Sequence, residues 1–152
     1  MGKKVKTEKL HKEIDLIQAC ISRMADNCFR LKEYYISLLA VVLTVLISQE
    51  FDVITICMFL LGITVVFWGL DAFYLKMETL FRWKYEWVIL KRKLGEKQYL
   101  YDLNPHNKNM WLDSEKKEER LIFFVFNRTL LPLYGIVTAV SAIIIISNLP
   151  IK

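Results

Sequence analysis

The chain has 152 residues, 55% of them hydrophobic and 24% charged, with a formal net charge of +5. The charge is not spread along the sequence as in a water-soluble domain, but leaves three windows almost free of ionisable residues. That patterning excludes intrinsic disorder and argues against an ordinary soluble globule. It fits one domain, much of it solvated by lipid.

Residues 5–33 are charged and carry a regular apolar pattern. Leu10, Ile14, Ile17, Ile21, Met24, Cys28, Leu31 and then Tyr35 follow one another at alternating spacings of four and three. This is a heptad seam, so a helix is predicted with a partner along it. The partner is either the cytoplasmic helix of the same chain or the same helix of a neighbour. No Pro or Gly separates this helix from the apolar stretch that follows, so the two should be continuous.

The apolar windows are residues 34–49, 53–70 and 129–151. A spanning helix needs about 20 apolar residues, with about 17 as the lower end. Spans are therefore predicted at 34–51, 53–75 and 129–149, with a tight outer turn at 49–52. A buried soluble hairpin is the competing reading of the first two windows. Runs such as residues 37–47 leave no polar face for water, which argues against it. Twenty of the 21 Lys and Arg residues fall on one side of this arrangement, so the N-terminus and the middle segment should face the cytoplasm. The charged first thirty residues lack an apolar signal-peptide core, so the spans are expected to anchor the mature protein.

The second span should continue as a cytoplasmic helix over 76–94, ending in Lys91, Arg92 and Lys93 and capped by Gly95. Packed against 5–33 it would form a helical stalk about 30 Å long. Residues 95–116 are the least regular part. A last helix is expected from about Ser114 to Leu149, kinked or broken at Pro132. The expected fold class is thus an all-α membrane protein with about three transmembrane helices and a cytoplasmic stalk.

Bond-making chemistry is largely missing from the sequence. Three cysteines and two isolated histidines form no disulfide framework, zinc motif or HExxH, and there is no phosphate-binding glycine loop. The expectation is a protein that is not an enzyme, with no metal and no cofactor.

Two groups of residues remain as functional candidates. Asp71 lies at the inner end of the second span, where an acid is a functional hypothesis by default. In an oligomer it would ring a pore mouth and favour cations. Alternatively, it pairs with Lys76 or with a base on the N-terminal helix. Thr44, Ser48, Thr55 and Thr64 place hydroxyls along the first two spans. These either line a narrow pore or bond carbonyls of their own helices. Gly62 and Gly69 would allow close helix contact. The second group is Arg82, Trp83, Lys84, Trp87, Lys91, Arg92, Lys93 and Tyr99, where bases alternate with aromatic rings. Such surfaces hold nucleotides and single strands, or else anionic lipid headgroups.

Residues 14–32, the two-span hairpin and residues 71–85 together resemble the SLATT-type effectors. These are small two-span bacterial membrane proteins that accompany nucleotide-signalling defence systems. The likeness covers about residues 10–94. It implies a homo-oligomer of four copies or more in the bacterial inner membrane, acting as a pore that depolarises a phage-infected cell. It also implies a trigger, a nucleotide or single-stranded oligonucleotide made by a partner nucleotidyltransferase. The chain departs from that pattern by its third span, which leaves both the hairpin and the last helix as candidates to line the axis. The function expected is a cytoplasmically gated ion channel effector. The alternative is a non-conducting membrane adaptor that recruits a soluble defence enzyme.

Overall fold

A computed structural model describes residues 2–114 and 120–148, with side chains from residue 8 onward except at 114. Five helices follow one another: α1 (Gly2–Ser48), α2 (Val53–Lys93), α3 (Lys108–Ser114), α4 (Leu121–Val125) and α5 (Leu131–Asn148). Among the described residues there is no strand. Helices α1, α2 and α5 each contain a stretch long and apolar enough to cross a membrane.

The two long helices are unbroken because no proline interrupts them. Helix α1 stops at a Schellman turn: Phe51 N–H reaches the Leu46 carbonyl and Glu50 N–H reaches that of Ile47. Glu50 takes the left-handed conformation at φ 55°, usually left to glycine. Asp52 then caps α2, accepting bonds from the Thr55 N–H at 2.9 Å and hydroxyl at 2.6 Å. Those bonds hold the Asp52 carboxyl below the usual range. The tight turn expected at 49–52 is therefore present. Helix α2 ends as anticipated, with Gly95 at φ 80° closing a second Schellman turn over Lys91 and Arg92.

The last third differs from expectation. Instead of one helix from about 114, α4 and α5 are separate, and of the kink or break expected at Pro132 it is a break that forms, ending just before it; residues 115–119 and 149 lie outside the described residues. The break covers residues 126–130, between α4 and α5. There the Asn127 carbonyl accepts from Leu130 and Leu131, and its side chain accepts from the Thr129 N–H. An asparagine that bonds nearby backbone competes with helix continuation. Pro132 instead sits in the first turn of α5, where its missing N–H has no intrahelical partner to lose. The stretch read as irregular, 95–116, contains the two-turn helix α3.

The chain divides into two compact units. The first, charged unit draws on residues up to 26 and on 74–120. Its core joins Ile17 to Trp87, Val88 and Met110, with Ile21, Trp83, Tyr85 and Trp111 packed around them. The second, apolar unit draws on residues 27–73 and those from 121 onward. Tyr35, Thr64, Asp71, Ala72, Leu130 and Tyr134 are buried in it, while much of its apolar surface is exposed. Neither Gly62 nor Gly69 has a neighbour within 4 Å of where a Cβ would stand, so neither serves a close contact within the chain.

Candidate functional site

In the apolar unit three helices meet on one carboxylate. Asp71 of α2 has a fully buried side chain. Its Oδ2 lies 2.6 Å from Nζ of Lys32 on α1 and accepts the Tyr134 hydroxyl of α5 at 3.1 Å. Lys32 also donates to the Cys28 carbonyl at 3.2 Å, and its side chain is 30% exposed. The other carboxylate oxygen, Oδ1, is buried without a hydrogen-bond partner. The pairing with a base on the N-terminal helix, weighed in the sequence, is the one that forms, and the base is Lys32.

Aromatic rings enclose the carboxylate. The Tyr134 ring stacks on Trp68 at 5.9 Å and meets Tyr35 at 4.8 Å. Trp68 donates its indole N–H to the Val125 carbonyl at 2.8 Å, tying the end of α4 to α2. Thr64 spends its hydroxyl proton on the Leu60 carbonyl at 2.7 Å, so the Tyr35 hydroxyl is the donor in the 3.0 Å bond between Tyr35 and Thr64. Asp71 and Thr64 are seven residues apart on α2, about 10 Å along its axis. The unit thus buries two hydrogen-bonded polar centres, and Ser141 adds a further buried hydroxyl.

The five residues offered as pore or gate candidates divide on this basis. Thr64 and Asp71 belong to the buried centres. Thr44 and Ser48 bond the carbonyls of Ala40 and Val45, and Thr55 serves the Asp52 cap. Their hydroxyls are spent within their own elements.

The seam residues behave as a fold contact. Ile17 is fully buried against Trp87 and Val88 of α2, and Ile21 packs on the same cluster. Leu10, Ile14 and Met24 are half-buried, as is Leu31; Cys28 is buried. Of the two partners open to the seam, the chain supplies one itself. Ile17 is fully taken up by this contact within the chain, while Ile21 also borders an open groove.

The basic and aromatic candidates do not form an open basic groove, because acids take up most of the cations. Arg92 gives two bonds of 2.8 Å to Glu13, a fork-to-fork pair, and two more to the carbonyls of Glu96 and Gln98. Glu13 itself is buried and also accepts the Tyr101 N–H at 3.0 Å. Its bond to Glu13 pushes the Arg92 guanidinium further up. This clasp fixes a loop in which Tyr99 and Tyr101 adopt left-handed backbone at φ 56° and 60°. Lys84 is fully buried. It contacts Asp102 at 2.7 Å and lies 4.7 Å from the centre of the Trp87 ring. Burial pushes the Asp102 carboxyl up, but bonds from Lys84, Asn107 and the Asn104 N–H outweigh that and hold it below the usual range.

Trp87 donates to Asp113 at 2.8 Å, and Lys91 joins Glu96 and Asp113. The indole bond and Lys91 hold the Asp113 carboxyl low, while Glu96 and Asp113 raise Lys91. Arg82 is paired with Glu78 at 2.7 Å, Trp83 meets Trp111 edge-on at 5.7 Å, and the Tyr99 hydroxyl accepts from Asn109. Lys93 is exposed in the last turn of α2. A groove of about 470 Å³ in the charged unit is lined by Gln18, Ile21, Ser22, Arg82, Tyr85 and Glu86.

Sequence reasoning missed Lys32 and Tyr134 as site residues, and with them the acids Glu13, Asp102 and Asp113. The available signal was a lysine and a tyrosine hydroxyl at the ends of apolar windows, where each needs a polar partner. Among the described residues no group of three His, Cys, Asp or Glu side chains converges as a metal site would. In comparisons with known proteins, no family model, curated protein or solved structure matches the chain.

Proposed function

We propose that the chain is a multi-pass protein of the bacterial inner membrane with a cytoplasmic N-terminus. In this reading it assembles into an oligomeric ion-conducting pore that depolarises the membrane as the effector of an antiphage system. The observation that carries the reading is the Lys32–Asp71 pair, buried together with Tyr134 among helices apolar enough to cross a membrane. An ionised pair buried among apolar helices is costly, and such groups mark ion paths and gates. A mere anchor needs only apolar packing. The trigger, a nucleotide, oligonucleotide or partner on the cytoplasmic side, would act on the charged unit. The groove beside Arg82 and Tyr85 offers it a seat. Because the neighbouring cations are already paired, the ligand would act by exchanging ion pairs.

The alternative, a non-conducting adaptor, is favoured by one observation. Leu94 and Leu112 of the charged unit are 75% and 79% exposed, as a surface awaiting a protein partner would be.

Conductance of the purified protein in planar bilayers, before and after nuclease treatment, separates the two readings. Discrete current steps are expected, and a change after nuclease would give both the ligand class and the gating sign. Silence of a folded, oligomeric sample under both conditions would favour the adaptor.

A further inference from the structure

Helix α5 packs on the unit along one face only, as the other two long helices do over their apolar stretches. Of its 18 residues only Tyr134 and Ser141 are buried, and Ile136, Val140 and Ile143 are half exposed or more. Thr138 and Ser147 spend their hydroxyls on carbonyls of α5 itself. Tyr134 is the residue that links α5 to α2 through a polar bond, and its ring also fills the space between Trp68 and Tyr35. The group it covers is not at rest, since Asp71 Oδ1 is buried with no partner. A buried carboxylate oxygen without a hydrogen bond loses the solvation it would have in water. The closed arrangement therefore holds a group that gains by meeting water. The helix that keeps water away makes its polar bond to α2 near its first turn.

We propose that α5 is an inhibitory plug: Tyr134 seats it over Asp71, and the conducting state is reached when Tyr134 lets go and Asp71 meets water. The proposal rests on the pore reading. Its first step, occlusion of Asp71 by Tyr134, can be measured without any current. Release has a clear chemical meaning. The Tyr134 hydroxyl exchanges one carboxylate acceptor for water, Oδ1 gains the partner it lacks, and the Lys32 pair becomes solvated on both sides.

The test uses the full chain in proteoliposomes, as wild type, Tyr134→Phe and Tyr134→Ala. A water-soluble carbodiimide with an added amine converts water-accessible carboxyl groups to amides, and mass spectrometry of the peptide containing Asp71 reads the rate. Single-channel recording of the same samples reads open probability. Tyr134→Phe keeps the ring and loses only the hydrogen bond, so it guards against a variant that fails to fold. Wild-type Asp71 is expected to be protected. Tyr134→Ala should be modified at least tenfold faster with a parallel rise in open probability, and Tyr134→Phe should fall between. Equal modification of wild type and Tyr134→Ala would overturn the occlusion. Faster modification with unchanged open probability, in samples whose wild type conducts, would overturn the plug while leaving the pore reading intact. Faster modification with no current from any sample would overturn the pore reading, and the gating step with it.

Discussion

Lys32 and Asp71 are 39 residues apart in the chain and 2.6 Å apart in space, and the Tyr134 hydroxyl shares the same carboxylate oxygen. Net stabilisation by a buried ion pair is small, because desolvation offsets the attraction. Removing one partner is another matter, since it strands the other. Asp71→Leu should cost about 2 kcal/mol, below the usual range for a buried pair because Lys32 keeps some contact with water. Lys32→Met combined with Asp71→Leu should recover most of that loss. A double-mutant cycle from denaturation in detergent checks it, and a coupling energy near zero would sink the pairing.

The Arg92 clasp makes a sharper prediction, because a lysine has no fork. Arg92→Lys should lose the paired bonds to Glu13 and the bonds to the carbonyls of Glu96 and Gln98. With Glu13 left buried and under-satisfied, the cost should be about 2–3 kcal/mol. Hydrogen exchange at the Tyr101 N–H, which bonds Glu13, should speed up before exchange in the body of α2 does. Uniform acceleration throughout the charged unit would contradict a local clasp.

Acid should loosen the same unit. Asp102 and Asp113 are both held below their ordinary value of 3.8 by bonds made only in the folded chain. Each therefore contributes stability that is present above that value and is lost as pH falls through the depressed folded one. Tryptophan fluorescence of Trp87 and Trp111 should be steady from pH 7 to about 4.5 and change below about 4. Asp113→Asn should flatten part of that change. A transition centred near pH 6 would point to a different group.

The seam is expected to fail as a fold contact. Ile17→Asp places a charge among Trp87, Val88 and Met110 and should unfold the charged unit, at a cost of 3 kcal/mol or more. The loss should be independent of protein concentration, because the partner belongs to the same chain. Leu16, 37% exposed one position away, should tolerate Asp within about 0.5 kcal/mol. A concentration-dependent loss for Ile17→Asp would return the seam to the oligomer.

Orientation can be read directly. The native cysteines Cys20, Cys28 and Cys57 are buried, so a membrane-impermeant thiol reagent should meet little background. Gln49→Cys should react from the outer face of intact cells, and Lys93→Cys only after permeabilisation. The reverse pattern would invert the topology.

Much of the architecture follows from local properties. The apolar windows place the long helices, because a helix of that length without a polar face has few places to go. The turn at 49–52 and the Gly95 cap rest on neighbours within a few residues, so they were legible; the seam through Ile17 was legible as a periodicity, but not its partner. The break before α5 combines Pro132, which bars helix through the preceding turn, with Asn127, which holds its own local turn there. Pairing was beyond local pattern. Lys84, Lys91 and Arg92 read as a basic surface because their acids, Asp102, Asp113 and Glu13, come from a folded-back loop and from two other helices. The triad is the extreme case. An acid at position 71 announces a need for a partner but does not name it. Only the packing of α1, α2 and α5, set by which rings fit around Tyr134, brings Lys32 and the tyrosine hydroxyl to that one oxygen.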